Sequence, residues 1–355
     1  MEVNLSTYTD YLLSTPKYAT ATGMARAYGG ACTHDAVTRL LSRDYFDNKT
    51  LWRAVKPTIR KLVPQGDDSG VIIVDDSILQ KPHTRSSELN CYHFDHSLGR
   101  TVKGINFISL LYSYGAELAL PVQVELIQKT EPRYDKKKEK YVFKSPVTKN
   151  ELFRRMLTNT VPLVDFRYVL GDSWFASKDN INLITKRLGR HAILALKSDR
   201  EVALSEQDKR EGTFVRVDQL GQLAEKAPLR VYLRGVQAPV LVVRQVFTNK
   251  DGSRGVLFLL CTDLTLGYEQ ITTIYKKRWK VEVYHKSLKQ HTALGGSPTK
   301  RVATQCNHFY AAVVAYVKLE KMRLKLGRNP FNLMSALSDV ATIAALSQLQ
   351  QWAAT

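Results

Sequence analysis

The spacing of apolar and polar positions changes several times along this chain and divides it into segments. Residues 1–62 show short stretches of helical spacing. One stretch, residues 22–30, ends on a glycine pair, and helical spacing resumes behind the capping residue Thr33. Helix, glycine turn and helix is the outline of a helix-turn-helix, so residues 1–62 are predicted to be a helical DNA-binding region with Arg39 as a candidate contact. An ordinary helical hairpin gives the same pattern, and simple packing stays an open alternative.

The pattern changes to that of a sheet in residues 63–198. Residues 71–74 are continuously apolar, as expected for a strand buried on both faces, and Asp75 and Asp76 follow them. Three antiparallel-type strands, then strands that alternate with helices, predict a mixed α/β sheet. The other elements predicted here are strands at 104–115, 120–126, 166–170 and 191–197, helices at 148–160 and 176–188, and an exposed lysine-rich loop at 133–140.

The remaining residues form three further segments. Residues 199–265 contain apolar strand patterns separated by Gly, Pro and charged turns, which predicts a β-rich insertion. Residues 266–325 return to helical spacing, and we expect them to form the second part of the domain that begins with residues 63–198. Residues 326–355 are rich in Ala and Leu, which predicts a C-terminal helical region suited to packing.

The charge of the chain points to a polyanionic partner. Lys and Arg outnumber Asp and Glu by 52 to 33, a formal net charge of +19. Such an excess in a folded protein favours nucleic acid over a membrane surface. No apolar run approaches the length of a membrane span, and residues 1–6 lack the pattern of a signal peptide, so a cytoplasmic protein is expected.

The four cysteines are scattered and form no Cys-x-x-Cys pair, which is typical of reduced thiols. Cys91, His93 and His96 offer metal ligands close together in sequence. A structural zinc site needs a fourth ligand at a suitable spacing, so histidines of a loop near DNA are the favoured interpretation.

The most informative motif is Tyr275-x2-Arg278-x3-Glu282-x6-Lys289. On an α-helix at roughly 100° per residue, the last three residues fall about 60°, 20° and 40° from the first, on one narrow stripe. Three hydrogen-bond donors then surround one carboxylate, which suits metal-dependent chemistry on a nucleic-acid backbone. A basic surface helix in which Glu282 pairs with Lys286 at i,i+4 is the alternative.

Further carboxylates follow two predicted strands. Asp75 or Asp76 closes the first strand, and Asp172 closes a later one, so the two carboxylates are expected side by side at one sheet edge. Three acids suit Mg²⁺, and two such ions roughly 3.5–4 Å apart bind both the attacking and the leaving oxygen of a phosphoryl displacement. Adjacent strand residues face opposite ways, so one of Asp75 and Asp76 points at that site.

These motifs resemble the DDE transposases of bacterial insertion sequences that carry the Tyr-Arg-Glu-Lys signature. The resemblance covers about residues 65–325 and implies an RNase H-like core interrupted by the β-rich insertion. It implies two Mg²⁺ ions, replaceable by Mn²⁺, on the catalytic residues Asp76, Asp172 and Glu282, although Asp75 stays an alternative to Asp76. The DNA contacts expected are Tyr275, Arg278 and Lys289 on transposon-end phosphates, with Lys286, Trp174 and Arg39 as further candidates.

The function expected from the resemblance is cut-and-paste transposition. The enzyme would bind terminal inverted repeats of double-stranded DNA, as a homodimer in a synaptic complex, cleave the element ends and join the 3′-OH to target DNA. The expected location is the cytoplasm of a prokaryote, at the nucleoid. A catalytically inactive DNA-binding derivative and another RNase H-like nuclease, such as a junction resolvase, are the alternatives.

The insertion departs from the family in one respect. Members of this group cut the second strand through a DNA hairpin, helped by a Trp in the insertion that stacks on a flipped base. Residues 199–265 contain no Trp. Tyr232, Phe247 or Phe258 are possible substitutes, because any aromatic face stacks on a base.

Overall fold

The N-terminal region is helical, as predicted, and each of its helices begins behind a capping side chain. The computed structural model describes residues 1–15, 18–96, 98–136, 139–221, 223–248 and 251–354. The side chains of Asn4, Thr20, Thr33 and Asp47 accept hydrogen bonds from the first turns of the four helices. These helices are α1 (Leu5–Ser14), α2 (Ala21–Ala27), α3 (His34–Arg43) and α4 (Asn48–Leu62).

A mixed sheet follows. Its strands are β1 (Val71–Gln80), β2 (Asn90–Asp95), β3 (Arg100–Tyr114), β4 (Leu118–Leu126), β7 (Tyr168–Gly171) and β8 (His191–Leu196). β1 pairs antiparallel with β3 and parallel with β7, and β7 pairs parallel with β8. β2 and β4 both lie along the far edge of β3. The order β4-β3-β1-β7-β8 is consistent with an RNase H-like core, and the predicted α/β fold class with a mixed sheet is confirmed.

The β-rich residues after β8 extend this same sheet. They form the strands β9 (Glu201–Ala203), β10 (Val215–Arg216), β11 (Leu229–Leu233), β12 (Val240–Thr248) and β13 (Arg254–Cys261), with the short helix α7 (Glu206–Glu211) between the first two. β13 pairs antiparallel with β8, and β12, β11, β9 and β10 continue outward from it. The insertion is therefore hydrogen-bonded to the core and does not form a sheet of its own.

The lysine-rich segment differs from its prediction. Where a loop is expected at 133–140, β5 (Glu131–Asp135) pairs antiparallel with β6 (Lys140–Lys144); residues 137 and 138 of the segment lie outside the described residues. Tyr134 lies opposite Tyr141, and their rings pack 5.4 Å apart, a cross-strand contact that the charged sequence does not reveal.

The remaining helices cover the sheet and complete the chain. They are α5 (Lys149–Thr160), α6 (Lys178–Asn182), α8 (Tyr268–Lys276), α9 (Trp279–His291), α10 (Val302–Leu326) and α11 (Pro330–Ala353). α10 is buried along most of its length and contacts α1, α3 and α4, so it joins the N-terminal helices to the sheet. α11 confirms the predicted C-terminal helix, but it buries only Pro330 and exposes most of its apolar side chains, so the expected packing is not observed. None of the helices in the described ranges has the length and apolar character needed to cross a membrane.

Candidate active site

The first two acids lie within β1 and not at its end. β1 pairs with β7 only from Val71 to Ile73, and beyond that point it runs past Asp75 and Asp76 to Gln80 paired on its other edge with β3. The edge of β1 that faces β7 is therefore open beside the two aspartates. Asp172 follows directly after β7, so the expected neighbourhood of these acids is present even though the strand runs on.

Asp75 faces α9. Its Oδ2 lies 3.9 Å from Nδ1 of His285 and 4.0 Å from Nη1 of Arg278. Burial raises the pKa of Asp75 to about 8, and the charges of Glu282 and Asp172 add to the rise while Arg278 opposes it. Positive charge added nearby, such as a bound divalent cation, lowers this pKa and favours the carboxylate form.

Asp76 faces α5. The ammonium of Lys149, the first residue of that helix, donates to Oδ2 of Asp76 at 2.6 Å. Neighbouring residues of a strand point to opposite faces, and this alternation gives Asp75 and Asp76 different partners. Both side chains nevertheless line the same cleft.

Asp172 is positioned by the turn that follows β7. Its carboxylate accepts the backbone N–H of Trp174 at 3.0 Å, which fixes the start of a 3₁₀ turn over Ser173–Phe175. Burial raises the pKa of Asp172, and the charge of Asp76 contributes to the rise.

The predicted helical stripe is divided between two helices. α8 ends at Lys276 and α9 begins at Trp279, and the N–H groups of Lys277 and Arg278 donate to residues three positions earlier instead of four. The tightened turn shifts the helical phase between Tyr275 and the rest of the motif. The prediction of one continuous helix is therefore wrong at this turn.

Arg278, Glu282 and Lys289 still meet at the cleft, whereas Tyr275 lies beneath it. Arg278 Nη1 lies 3.4 Å from Glu282 Oε1, and Lys289 Nζ donates to Ser77 Oγ at 2.7 Å. Tyr275 is buried, and its hydroxyl donates to the carbonyl oxygen of Gly171 at 3.3 Å. Its hydroxyl thus contacts the backbone next to Asp172, and it also interacts with Arg278.

The alternative pairing of Glu282 with Lys286 is not the one observed, because Glu282 pairs with Arg278. The Lys286 ammonium lies 5.0 Å above the ring of Phe331 at the start of α11. Lys286 also lines the cleft, so it faces the same space as Glu282 without neutralising it.

The cleft has a volume of about 710 Å³ and is lined by five acidic side chains, five Lys or Arg side chains and two histidines. Trp174 stands at its wall with 44 % of its surface exposed. Arg39 is exposed on α3 and is not among the lining residues. The acids are Asp75, Asp76, Asp95, Asp172 and Glu282, and the bases are Lys149, Lys197, Arg278, Lys286 and Lys289.

The donor set fits a divalent cation. Asp75, Glu282 and His285 offer ligand atoms that all lie within 4.8 Å of one another. His285 is buried, which lowers its pKa to about 3, and its Nε2 has no hydrogen-bond partner among the described residues. A neutral imidazole and two carboxylates are a suitable ligand set for a divalent metal ion.

Two residues of the site escape the sequence interpretation. His285 lies three positions after Glu282, a spacing that places both on one helix face and that could have identified it. Lys149 gives no such signal, because it reaches Asp76 from a helix more than 70 residues away.

The other candidate residues are divided between the cleft wall and positions elsewhere in the molecule. Cys91 Sγ lies 3.3 Å from His93 Nε2, but the His96 ring packs at 4.9 Å from Phe94 and 5.7 Å from Trp174. His96 thus belongs to the cleft wall and not to a site with Cys91. In the insertion, Phe258 is buried, Tyr232 lies under Lys209, and Phe247 is 44 % exposed, so Phe258 is excluded as a base-stacking residue.

Two family models of known proteins match parts of this chain. The family model for the DDE superfamily endonuclease matches residues 2–212. The family model described as Archaeal putative transposase ISC1217 matches residues 122–328. The first range contains Asp75, Asp76 and Asp172, and the second contains Asp172 and Glu282. No curated protein matches the chain.

Proposed function

Because this chain belongs to the DDE superfamily endonuclease family, whose model matches more than half of its length, we propose that it is a transposase that moves a DNA element by cut and paste. The observation that carries the proposal is the meeting of Asp172 and Glu282 with the Asp75–Asp76 pair in one cleft. These acids come from three distant parts of the chain, and the archaeal transposase match spans two of them.

Asp76, Asp172 and Glu282 are the catalytic carboxylates of this proposal. The charge interaction of Asp76 with Asp172 and the position of both on the cleft wall support it. One observation favours Asp75 as the alternative, because its carboxylate lies with Glu282 and His285 in the set of ligand atoms described above.

The acids would hold divalent cations, with two Mg²⁺ ions as the proposed number and identity. Bound there, the ions would activate the attacking oxygen and stabilise the leaving oxygen of an in-line displacement. The chain's own part is to hold the carboxylates in place, which it does through the β1 backbone, the turn after β7 and the first turns of α9.

Arg278, Lys286 and Lys289 are the proposed phosphate contacts, and Arg278 suits the role because its guanidinium binds phosphate with two parallel hydrogen bonds. Tyr275 is proposed as a positioning residue, since its hydroxyl holds the Gly171 carbonyl beside Asp172. The spacing of these residues and Glu282 supports placing the chain in the Tyr-Arg-Glu-Lys group of insertion-sequence transposases, with Tyr275 departing from the phosphate contact that the resemblance implies.

The first-strand cut and the joining step are each one displacement at phosphorus, and release of the element requires cleavage of the second strand as well. In the first, the oxygen of water forms a bond to phosphorus at the element end, the bond from phosphorus to the 3′ oxygen breaks, and a 3′-OH and a 5′-phosphate result. In the second, that 3′-OH forms a bond to a target phosphorus and a target 3′ oxygen leaves with a proton. No covalent bond to the protein is required.

The other segments have supporting roles in this proposal. Residues 63–198 and 266–325 form the catalytic core, interrupted by the insertion at 199–265. Residues 1–62 contact the inverted repeats, with Arg39 exposed on α3 for this purpose. Residues 326–355 are a C-terminal appendage, and two copies of the chain hold two ends of one element.

One assay tests the function against its alternatives. The protein is incubated with Mg²⁺ and a labelled duplex that carries the inverted repeat found beside the gene. Nicking at the end that is abolished by Asp172→Asn and by Glu282→Gln supports the transposase. If the protein instead cuts branched junctions irrespective of the end sequence, the transposase proposal is wrong and the protein is a resolvase. If it binds the duplex without cutting it, the protein is a DNA-binding derivative.

A further inference from the structure

An exposed aromatic row lies on the edge strand β2 beside the cleft. Tyr92 and Phe94 alternate with the buried His93, and they are 61 % and 53 % exposed. His96 continues the same period of two and is also exposed. Large aromatic side chains gathered on a surface are costly to hydrate and commonly mark a binding site.

The row connects directly to the catalytic cleft. The ring of Phe94 lies 4.9 Å from that of His96, and His96 lies 5.7 Å from Trp174. Lys149, the partner of Asp76, places its ammonium 5.9 Å from the centre of the Trp174 ring. Aromatic surface thus extends without a break from Phe94 to the immediate neighbourhood of the acids.

A second wall faces the row and makes it a groove. The hairpin β5–β6 contributes Phe143, which is 61 % exposed. Between the hairpin and β2 lies a cavity of about 860 Å³, and Phe94 lines both this cavity and the catalytic cleft. The charged side chains of this groove are Lys129, Lys140 and Lys144 against Glu88 and Asp135, a net positive set.

We propose that this groove, from Tyr92, Phe94 and Phe143 to His96 and Trp174, binds unpaired nucleotides of the DNA strand that continues from the scissile phosphate. The placement beside the scissile phosphate rests on the proposed function. Aromatic faces stack on bases only when the base faces are free, so an unpaired strand fits this surface and a duplex does not. The lysines supply the charge that a backbone phosphate requires.

A stacking surface at this place does not require a Trp in the insertion. The stacking surface lies on β2 and the β5–β6 hairpin, which precede Asp172 in the chain, and not in residues 199–265. Unpaired bases near the cleft therefore stack on the aromatic surface next to α5 and β2.

The test uses a sequence-independent probe, so it does not depend on the inverted repeat. A fluorescein-labelled oligothymidylate of about 12 nucleotides is titrated with the full-length protein in EDTA, with a duplex of equal length for comparison. Loss of one stacked base corresponds to a weakening of about tenfold. Phe94→Ala and Phe143→Ala are each expected to weaken oligothymidylate binding by that factor, with duplex binding changed less than twofold. Phe94→Tyr, which keeps an aromatic face, restores the affinity.

Trp352→Ala is the matched control, because Trp352 is an exposed aromatic residue on α11 that lines neither cavity of the groove, and its loss should leave both affinities unchanged. Photo-crosslinking of an iodouracil-substituted oligomer supplies a second readout that needs no variant, and the crosslinked peptides should contain Phe94 or Phe143. The proposed groove is wrong if wild type and Phe94→Ala bind oligothymidylate with equal affinity, or if the crosslinks lie only in residues 1–62. Either result contradicts the groove even if the end-cleavage assay succeeds. If crosslinks form at Phe94 but the protein cuts no DNA end, the groove binds unpaired nucleotides as proposed. The proposed function and the placement beside a scissile phosphate are then wrong.

Discussion

The ammonium of Lys149 lies 2.6 Å from the carboxylate of Asp76, whereas the adjacent Asp75 turns toward Arg278 and His285. Two neighbouring acids of one strand therefore have separate environments. Asp76 has a cation of its own, and Asp75 shares a buried space with Glu282. This difference makes the two positions separable by experiment.

The first prediction concerns catalysis. Asp76→Asn is expected to lower the rate of end cleavage by at least about 100-fold, since loss of a residue that merely orients a metal ligand already costs 10–100-fold. Asp75→Asn makes the same chemical change at the neighbouring residue and is the matched control, for which we expect a smaller loss of cleavage rate. Single-turnover cleavage of the labelled end measures both, and the reverse order of the two variants would assign the catalytic role to Asp75.

The second prediction concerns stability in EDTA. Asp75→Asn is expected to leave the midpoint of thermal unfolding unchanged or to raise it, because burial and the charge of Glu282 disfavour the ionised carboxylate. Asp76→Asn is expected to lower the midpoint, because it leaves the partly buried Lys149 without its partner, at a cost of about 1 kcal/mol. Melting curves at pH 8 test the pair, and equal midpoints would contradict the separate environments.

The third prediction separates positioning from DNA contact at Tyr275. Tyr275→Phe removes the hydrogen bond to Gly171 and is expected to cost about 1 kcal/mol of the free energy of unfolding. We expect slower cleavage with unchanged affinity for DNA, because Asp172 shifts while no phosphate contact is lost. A weaker affinity with an unchanged cleavage rate of the bound DNA would instead place the Tyr275 hydroxyl on a phosphate.

The main elements of the fold follow from local pattern. The apolar run before Asp75 predicts β1, and Asp172 directly after an apolar strand predicts the approach of the two acids. β1 and β7 run parallel with Ile73 opposite Leu170, so Asp75 and Asp172 both follow the paired segment and come close, although β1 itself runs on to Gln80. The stripe from Arg278 to Lys289 likewise follows from helical spacing alone.

The errors arise where tertiary contacts decide. The turn at Lys277 and Arg278 tightens so that Tyr275 reaches the Gly171 carbonyl, which no spacing rule contains. Lys149 meets Asp76 through the packing of α5 on the sheet. The exposure of α11 is equally invisible, because an Ala- and Leu-rich helix has the same sequence pattern whether or not a partner covers it.

The fourth prediction uses salt to count phosphate contacts at the cleft. Each lost contact between a cationic side chain and a phosphate reduces the slope of log affinity against log salt by about 0.9. Lys289→Met is expected to produce this reduction with the end duplex, because its ammonium stands at the cleft beside Ser77. Lys318→Met, on α10 and paired with Asp10, makes the same change in net charge, from +19 to +18, and should leave the slope unaltered. Affinities measured at several salt concentrations distinguish the two. Equal slopes for both variants and the wild type would mean that the cleft lysine does not touch the backbone. An equal decrease in both would mean that the overall charge, and not the geometry of the cleft, governs binding.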